Sequence, residues 1–421
     1  MVEAGVDQVG EWTRELRPDR DEREAATDGP VIDGRRIGPA QGRGMRHECG
    51  PLHRSETRVA PRTSLRLWTE ALWYAAGTNT MTETIRAAVA AAVTLVSNGA
   101  VLPAPLAEAA MEELMDGGAP ALQVAALLGM LRVRGETPEE LAAFARVMRA
   151  RAVRVEAPDD AVDLCGTGAD GSGTFNISTL AAFVVAGTGT PVAKHGNRAV
   201  TSSSGSADVV EALGIPLDPG PEAVARSIRE HCFGFIFAPS YHPAMKHAMP
   251  IRRELPMRTV FNLLGPISSP AGVRRQLLGV AEAHLVPLMA GALARLDTDR
   301  AIVVHGADGL DELSLSGPNR AMLVEGRMVG ELEIDGAELG LARAPIAALA
   351  GGDAQTNSAI VLSVLGGEPG PARDVVLLNA AAALFAAGRV DVIADGIPLA
   401  AEAIDSGRAA EVVTGAASVE G

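Results

Sequence analysis

The stretch Gly166-Thr-Gly168-Ala169-Asp170-Gly171-Ser-Gly173-Thr174-Phe-Asn176-Ile177-Ser178-Thr179 follows the apolar run Val162 to Cys165 and precedes an apolar helical segment. Four glycines let the backbone approach an anion closely, and Ser178 and Thr179 stand where a helix start offers unpaired N–H groups to phosphate oxygens. A phosphate cradle is the natural reading, with a tight structural turn as the plainer alternative. Gly166, Gly168 and Gly171 also fit the dinucleotide pattern G-x-G-x-x-G. Against that reading, the helix begins only near Ser178, and Pro-Val-Ala-Lys-His stands about 20 residues on, where a ribose-binding acid belongs. A P-loop is excluded because no Gly-Lys-Ser/Thr follows.

A second loop reads Lys194-His195-Gly196-Asn197-Arg198-Ala199-Val200-Thr201-Ser202-Ser203-Ser204-Gly205-Ser206. Two cations, a histidine, an amide and five hydroxyl side chains at a strand's end suit a polyanion: hydroxyls and backbone amides wrap it while Lys194 supplies charge. A serine-rich turn capping the next helix explains one or two of the hydroxyls, not the basic cluster. The chain has 37 basic residues, and its only lysines, Lys194 and Lys246, both fall in these segments. A compact point charge fits where a planar guanidinium does not.

The third segment runs from His242-Pro-Ala-Met-Lys246 through Arg252-Arg253-Glu254 and Arg258 to Asn262-Leu-Leu-Gly265-Pro266. Its arginines suit bidentate capture of a carboxylate, against the alternative of a solvated helix face. The fourth, His305-Gly306-Ala-Asp308-Gly309-Leu310-Asp311-Glu312, places adjacent carboxylates where they could hold magnesium, which takes oxygen ligands and keeps waters when it binds a phosphate substrate. An Asp- and Gly-rich turn is the competing reading.

These loops need elements to carry them. Apolar runs at Val162 to Cys165, Pro191 to Ala193, Gly234 to Phe237, Gln276 to Val280 and Ala301 to His305 read as strands, with helical stretches at Ser178 to Ala186, Ala207 to Leu213 and Leu285 to Leu296 between them. The alternation predicts an α/β domain over 153–421 with a mainly parallel central sheet, its ligand at the strands' carboxyl ends, so the loops from Gly166, Lys194, Ala238 and Gly306 should converge on one cleft. Ahead of it, Glu83 to Ser97, Pro105 to Asp116, Ala119 to Arg134 and Pro138 to Ala152 predict four helices, a small all-α domain over 81–152. Residues 1–80 lack either periodicity and read as an extension, either a disordered tail or in-frame sequence ahead of a true start near Met81.

Composition narrows the class. A chain of 421 residues with 47% hydrophobic content is globular, and a net charge of −15 argues against a nucleic-acid or anionic-membrane partner while leaving room for a local basic pocket. Three cysteines (Cys49, Cys165 and Cys232) without C-x-x-C spacing suit a reducing cytoplasm, and no apolar run approaches the ~20 residues that span a bilayer.

From about Met81 to Val413 the ordered set of phosphate loop, Lys-His-Gly-Asn-Arg, His-Pro-Ala-Met-Lys with Arg-Arg-Glu, Asn-Leu-Leu-Gly-Pro and Gly-Leu-Asp-Glu closely resembles the anthranilate phosphoribosyltransferases. The resemblance implies the nucleoside phosphorylase/phosphoribosyltransferase type of fold, a homodimer, and a hinge cleft holding phosphoribosyl pyrophosphate, anthranilate and two Mg2+ ions. It implies that Gly166, Gly168, Ala169, Asp170, Thr174, Asn176, Ile177, Ser178, Thr179, Lys194, His195, Gly196, Asn197, Arg198, Ala199, Val200, Thr201, Ser202 and Ser206 line the substrates. Ser178 would touch one metal, and Asp311 and Glu312 the other. Asn197 and Arg252 would meet anthranilate; His195, beside it, is either a proton acceptor or a packing partner for the ring. Lys194, His195 and Arg252 are the catalytic candidates. The family usually has a second glycine where this chain has Ala169, and alanine at positive φ costs about 1 kcal/mol, so a slightly different loop shape is expected. A pyrimidine nucleoside phosphorylase should show a Lys-x-Ser-Thr-Gly-Gly loop, absent here. A noncatalytic, nucleic-acid-binding relative is disfavoured by the acidic balance and the intact carboxylate pair.

Overall fold

A computed structural model describes residues 87–168, 170–199 and 203–419. The 1–80 extension, the first residues of the helix expected from Glu83, and Ala169, Val200, Thr201 and Ser202 lie outside the described residues.

Four helices come first: α1 (Ala88–Ser97), α2 (Ala104–Met115), α3 (Ala121–Arg134) and α4 (Pro138–Ala150). The start of α4 is fixed by a capping box in which Thr137 accepts from the Glu140 N–H and Glu140 accepts from the Thr137 N–H. Glu140 is fully buried, and its carboxylate also accepts from the Leu102 N–H and pairs with Arg134, so one side chain joins the cap to the α1–α2 connection and to the end of α3.

The sheet that follows has the order β3-β2-β1-β4-β5-β6-β7. The strands β1 (Val162–Gly166), β2 (Val192–Gly196), β3 (Phe233–Phe237), β4 (Arg275–Gly279) and β5 (Arg300–His305) pair in parallel, as the sequence predicts. Between and after them run α5 (Ile177–Gly187), α6 (Ser206–Ala212), α7 (Pro221–His231), α8 (Ala238–Tyr241), α9 (Met249–Glu254), α10 (Val260–Leu264) and α11 (Leu285–Leu293). The last two strands, β6 (Asn319–Glu325) and β7 (Met328–Ile334), form an antiparallel hairpin on β5 that the sequence reading did not anticipate. Most of β7 faces solvent, so it lacks the apolar run that marks the inner strands.

Alternation sorts the sheet's side chains onto two faces. Leu277, Ile302 and Val304 pack with α5 and with the C-terminal helices α12 (Ala354–Leu365), α13 (Pro371–Ala386), α14 (Ile393–Asp405) and α15 (Arg408–Ala417). Leu278, Ala301 and Val303, one residue out of phase, join the core that holds α1 to α4, α10 and α11. The chain is a small helical domain and a larger α/β domain with a mostly parallel sheet. Among the described residues no helix is long and apolar enough to cross a membrane.

Candidate active site

The order of strands reverses at β1: β2 and β3 lie on one side of it, β4 and β5 on the other. A crevice opens at such a switch point beyond the strands' carboxyl ends, and the loops after β1, β2 and β5 meet there. The acidic loop after β5 approaches most closely. A Cβ on Gly166 would lie 2.4 Å from Asp311 Oδ2, and one on Gly279, at the end of β4, would lie 1.6 Å from the Asp311 carbonyl oxygen. At Gly279 the clash is with backbone and only glycine fits; at Gly166 a side chain would displace the Asp311 carboxylate.

That approach sets the acidic contacts. Asp311 Oδ2 accepts from the Gly168 N–H at 2.6 Å, and the Asp311 N–H faces Asp170 Oδ2 at 3.5 Å. Glu312 Oε1 accepts from the Ser178 N–H at 3.1 Å, at the start of α5. Burial raises the pKa of both carboxyls, with Asp170 raising Asp311 further and Asp311 raising Glu312. Two asparagines hold this loop from behind: Asn379 accepts from the Leu313 N–H and donates to the Leu313 carbonyl, and Asn319 accepts from the Ala307 and Ser314 N–H groups.

Lys194 is buried and donates to the Leu164 carbonyl at 2.6 Å and to Ser178 Oγ at 3.3 Å. Burial lowers its pKa, with Asp163 and Glu312 opposing. The buried Asp163 accepts from the His195 N–H at 3.1 Å, and burial lifts its own pKa to about 7. Here β1 and β2 are bridged only at Val162–Val192, whereas β1–β4, β2–β3 and β4–β5 each keep five paired positions. The Asp163 and Lys194 side chains occupy the seam.

His195 lies against His242, ring centroids 5.3 Å apart, and burial depresses the two imidazoles to pKa values of about 3 and about 4. Both rings are neutral near pH 7. Arg252, on α9, is half-buried over the Phe261 ring at 5.2 Å and has no carboxylate partner among the described residues. Arg258 donates to the Gly168 carbonyl at 3.4 Å, tying this third segment to the glycine loop.

Other expected site residues are occupied locally. Arg198 is exposed and paired with Asp208 and Glu211 on α6. The Ser206 hydroxyl exchanges hydrogen bonds with the Asn197 backbone rather than with the first N–H groups of α6, and the Ala199 N–H is bound by Asp208. The Asn197 carboxamide oxygen accepts from the Arg198 N–H. Ile177 and Thr179 are buried in α5, the Thr179 hydroxyl without a partner among the described residues. Thr174 meets Ser172 through their hydroxyls, and Gly196 packs under Ser206. Lys246 is exposed on the turn Pro243–Lys246.

Residues 158–410 match the glycosyl transferase family α/β domain, and residues 81–152 match the helical bundle domain of the same family. The anthranilate phosphoribosyltransferase of Rubrobacter xylanophilus is 53% identical over 304 residues, covering 72% of this chain and 89% of the relative. That of Symbiobacterium thermophilum is 52% identical over 319 residues, covering 76% and 94%. The chain belongs to the anthranilate phosphoribosyltransferase family.

Solved structures agree. The Thermus thermophilus anthranilate phosphoribosyltransferase superposes with a TM-score of 0.75 at 44% identity, covering 78% of this chain and 98% of that one. The Saccharomyces cerevisiae enzyme in complex with PRPP and Mg gives 0.71 at 27% identity, covering 78% and 96%. Within this anthranilate phosphoribosyltransferase fold the sequence reading passed over Asp163, Asn319, Asn357 and Asn379. The Gly351-Gly352-Asp353 run, two flexible residues before a helix-capping acid, was the available signal for Asn357.

Gly279→Ala should force the Asp311 backbone away from β4 and lower the unfolding free energy by about 3 kcal/mol. Urea unfolding checks this; a wild-type midpoint would show that the acidic loop does not depend on the approach.

Proposed function

We propose that these loops carry out the transfer of the phosphoribosyl group of phosphoribosyl pyrophosphate to the amine of anthranilate, giving N-(5-phosphoribosyl)anthranilate and pyrophosphate, in tryptophan biosynthesis. The observation that carries the assignment is the convergence of the Gly168, Ser178, Lys194, Asp311 and Glu312 contacts at one switch point. A related S. cerevisiae structure holds 4-fluoroanthranilate, which supports the acceptor. The domains are taken as 81–152 and 153–421, and the setting as cytoplasmic.

In this reading the residues act mainly by position and charge. The C–O bond to pyrophosphate breaks as the C–N bond forms, and the amine's proton is released. An arylamine is a weak nucleophile, so the leaving group departs early and the stabilised charge is that growing on pyrophosphate. Lys194, Ser178 and the amides of the glycine loop face that charge. Arg252, lacking an acid of its own, would take the anthranilate carboxylate. Asn197 would contact the ring, and neutral His195 is better suited to pack beside it than to accept a proton, because an imidazole with a pKa of about 3 is a weak base.

Asp311, Glu312 and Ser178 fit a hard cation: burial, and after it the neighbouring carboxylates, raises the pKa of both carboxyls, a cost that a cation between them would offset. Among the described residues no three acidic, His or Cys side chains form a cage, so substrate and water oxygens would complete the sphere, as Mg2+ allows. Bound there, two Mg2+ ions would neutralise pyrophosphate charge. Two copies of the chain are part of the proposal, supported by Leu122 and Val133, apolar side chains on α3 that are 86% and 88% exposed.

Anthranilate fluorescence should fall when the protein is mixed with phosphoribosyl pyrophosphate and magnesium, and Arg252→Ala should cut kcat/KM for anthranilate about 10- to 100-fold, with a smaller effect on the other substrate. Equal effects on both would remove Arg252 from the carboxylate.

Magnesium should raise the melting temperature more near pH 8 than near pH 5.5. Carboxyls with raised folded pKa values contribute stability at low pH and lose it as the pH rises through those values. The depressed values of His195 and His242 act oppositely, losing stability as pH falls, and cancel when melts with and without metal are compared at one pH. A shift as large at the acid end would exclude the pair as ligands.

Light scattering should give twice the chain's mass, and a monomer throughout the assay range would reject the dimer.

A further inference from the structure

Asn176 is the residue immediately before α5, where an asparagine ordinarily accepts from the helix's first N–H groups. Its side chain makes no such bond. Instead its Nδ2 donates to the Ser204 carbonyl at 3.2 Å, and its Oδ1 accepts from Asn357 Nδ2 at 2.9 Å. Asn357, buried in the first turn of α12, uses its own Oδ1 to accept from the Gly352 N–H at 2.8 Å. A backbone donor at one end and a backbone acceptor at the other fix the direction of the relay, so neither amide can be flipped without losing bonds.

The neighbouring backbone reinforces it. Residues 349–351 run antiparallel to the end of the glycine loop: Leu349 accepts from the Phe175 N–H at 3.1 Å, the Gly351 N–H donates to Gly173 at 2.9 Å, and Thr174 bridges Ala350. A Cβ on Gly351 would lie 2.6 Å from the Phe175 nitrogen and 2.7 Å from Asn357 Oδ1, so this approach also requires glycine.

We propose that Asn357 is a positioning residue for the phosphoribosyl pyrophosphate site, holding the Asn176 amide off the start of α5 and tying the glycine loop to the hydroxyl loop at Ser204. The proposal rests on the function assigned above. Asn176 forgoes its capping bond; the Ile177 N–H goes to the Phe175 carbonyl and the Ser178 N–H to Glu312 instead, so the Asn176 amide is committed to joining the two loops. It also keeps one amide N–H in reserve, aimed by Asn357.

Asn357→Asp keeps the shape and the bond from Gly352 but cannot donate to Asn176. In the full-length enzyme with magnesium, this variant should raise KM for phosphoribosyl pyrophosphate about ten-fold, with KM for anthranilate within two-fold of wild type. Asn357→Ser, which removes the amide without adding charge, should do the same. The relay also requires coupling: combining Asn176→Ala with Asn357→Asp should add little to the effect of Asn176→Ala alone. Unchanged KM for phosphoribosyl pyrophosphate in both Asn357 variants, equal losses for both substrates, or additive effects in the double variant would overturn the relay while the wild type continues to turn over. Absence of transfer in the wild type ends both readings.

Discussion

The arrangement depends on one close approach: the backbone at Asp311 lies against β1 and β4 where Gly166 and Gly279 have no side chain to keep it out. Without that fit Asp311 could not reach the Gly168 N–H, nor Glu312 the Ser178 N–H, and the acidic loop would not share a crevice with the glycine loop. The cost is electrostatic. Burial raises the pKa values of Asp311 and Glu312, and crowding with Asp170 and with each other adds a repulsion that a bound cation would relieve.

The opposite charge enters through a break in the sheet. Where β1 and β2 part after Val162–Val192, Asp163 takes the His195 N–H and Lys194 spans to the Leu164 carbonyl. Each side chain supplies a bond between strands that are bridged only once. The lysine's reach to Ser178 Oγ thus has its foundation inside the fold, and the cation is set by the sheet itself.

Much of this was legible because the chemistry is local in the chain. The glycine loop, the Lys-His-Gly-Asn-Arg cluster and the Asp311–Glu312 pair each declare themselves within a dozen residues, and their strands are apolar enough to be read directly. What stayed hidden depends on distant pairings. Asn357 meets Asn176 across 181 residues, and Asn379 meets Leu313 across 66, so each asparagine looks unremarked in its own helix. The hairpin of β6 and β7 escaped notice because its outer strand is mostly solvent-facing. Arg198 shows the converse: a cation beside a polyanion loop invites a ligand role, yet Asp208 and Glu211, one and two turns along the next element, engage it.

Of the eleven residues in α5, only Ser178 is not buried. Along this helix, sequence variation has a single position at which to adjust the chemistry; every other change is a change of packing. If this end holds phosphate as proposed, it is poor ground for altering specificity by selection, because nearly every substitution along the helix disturbs packing, and diversification is left to the less enclosed surfaces around Arg252.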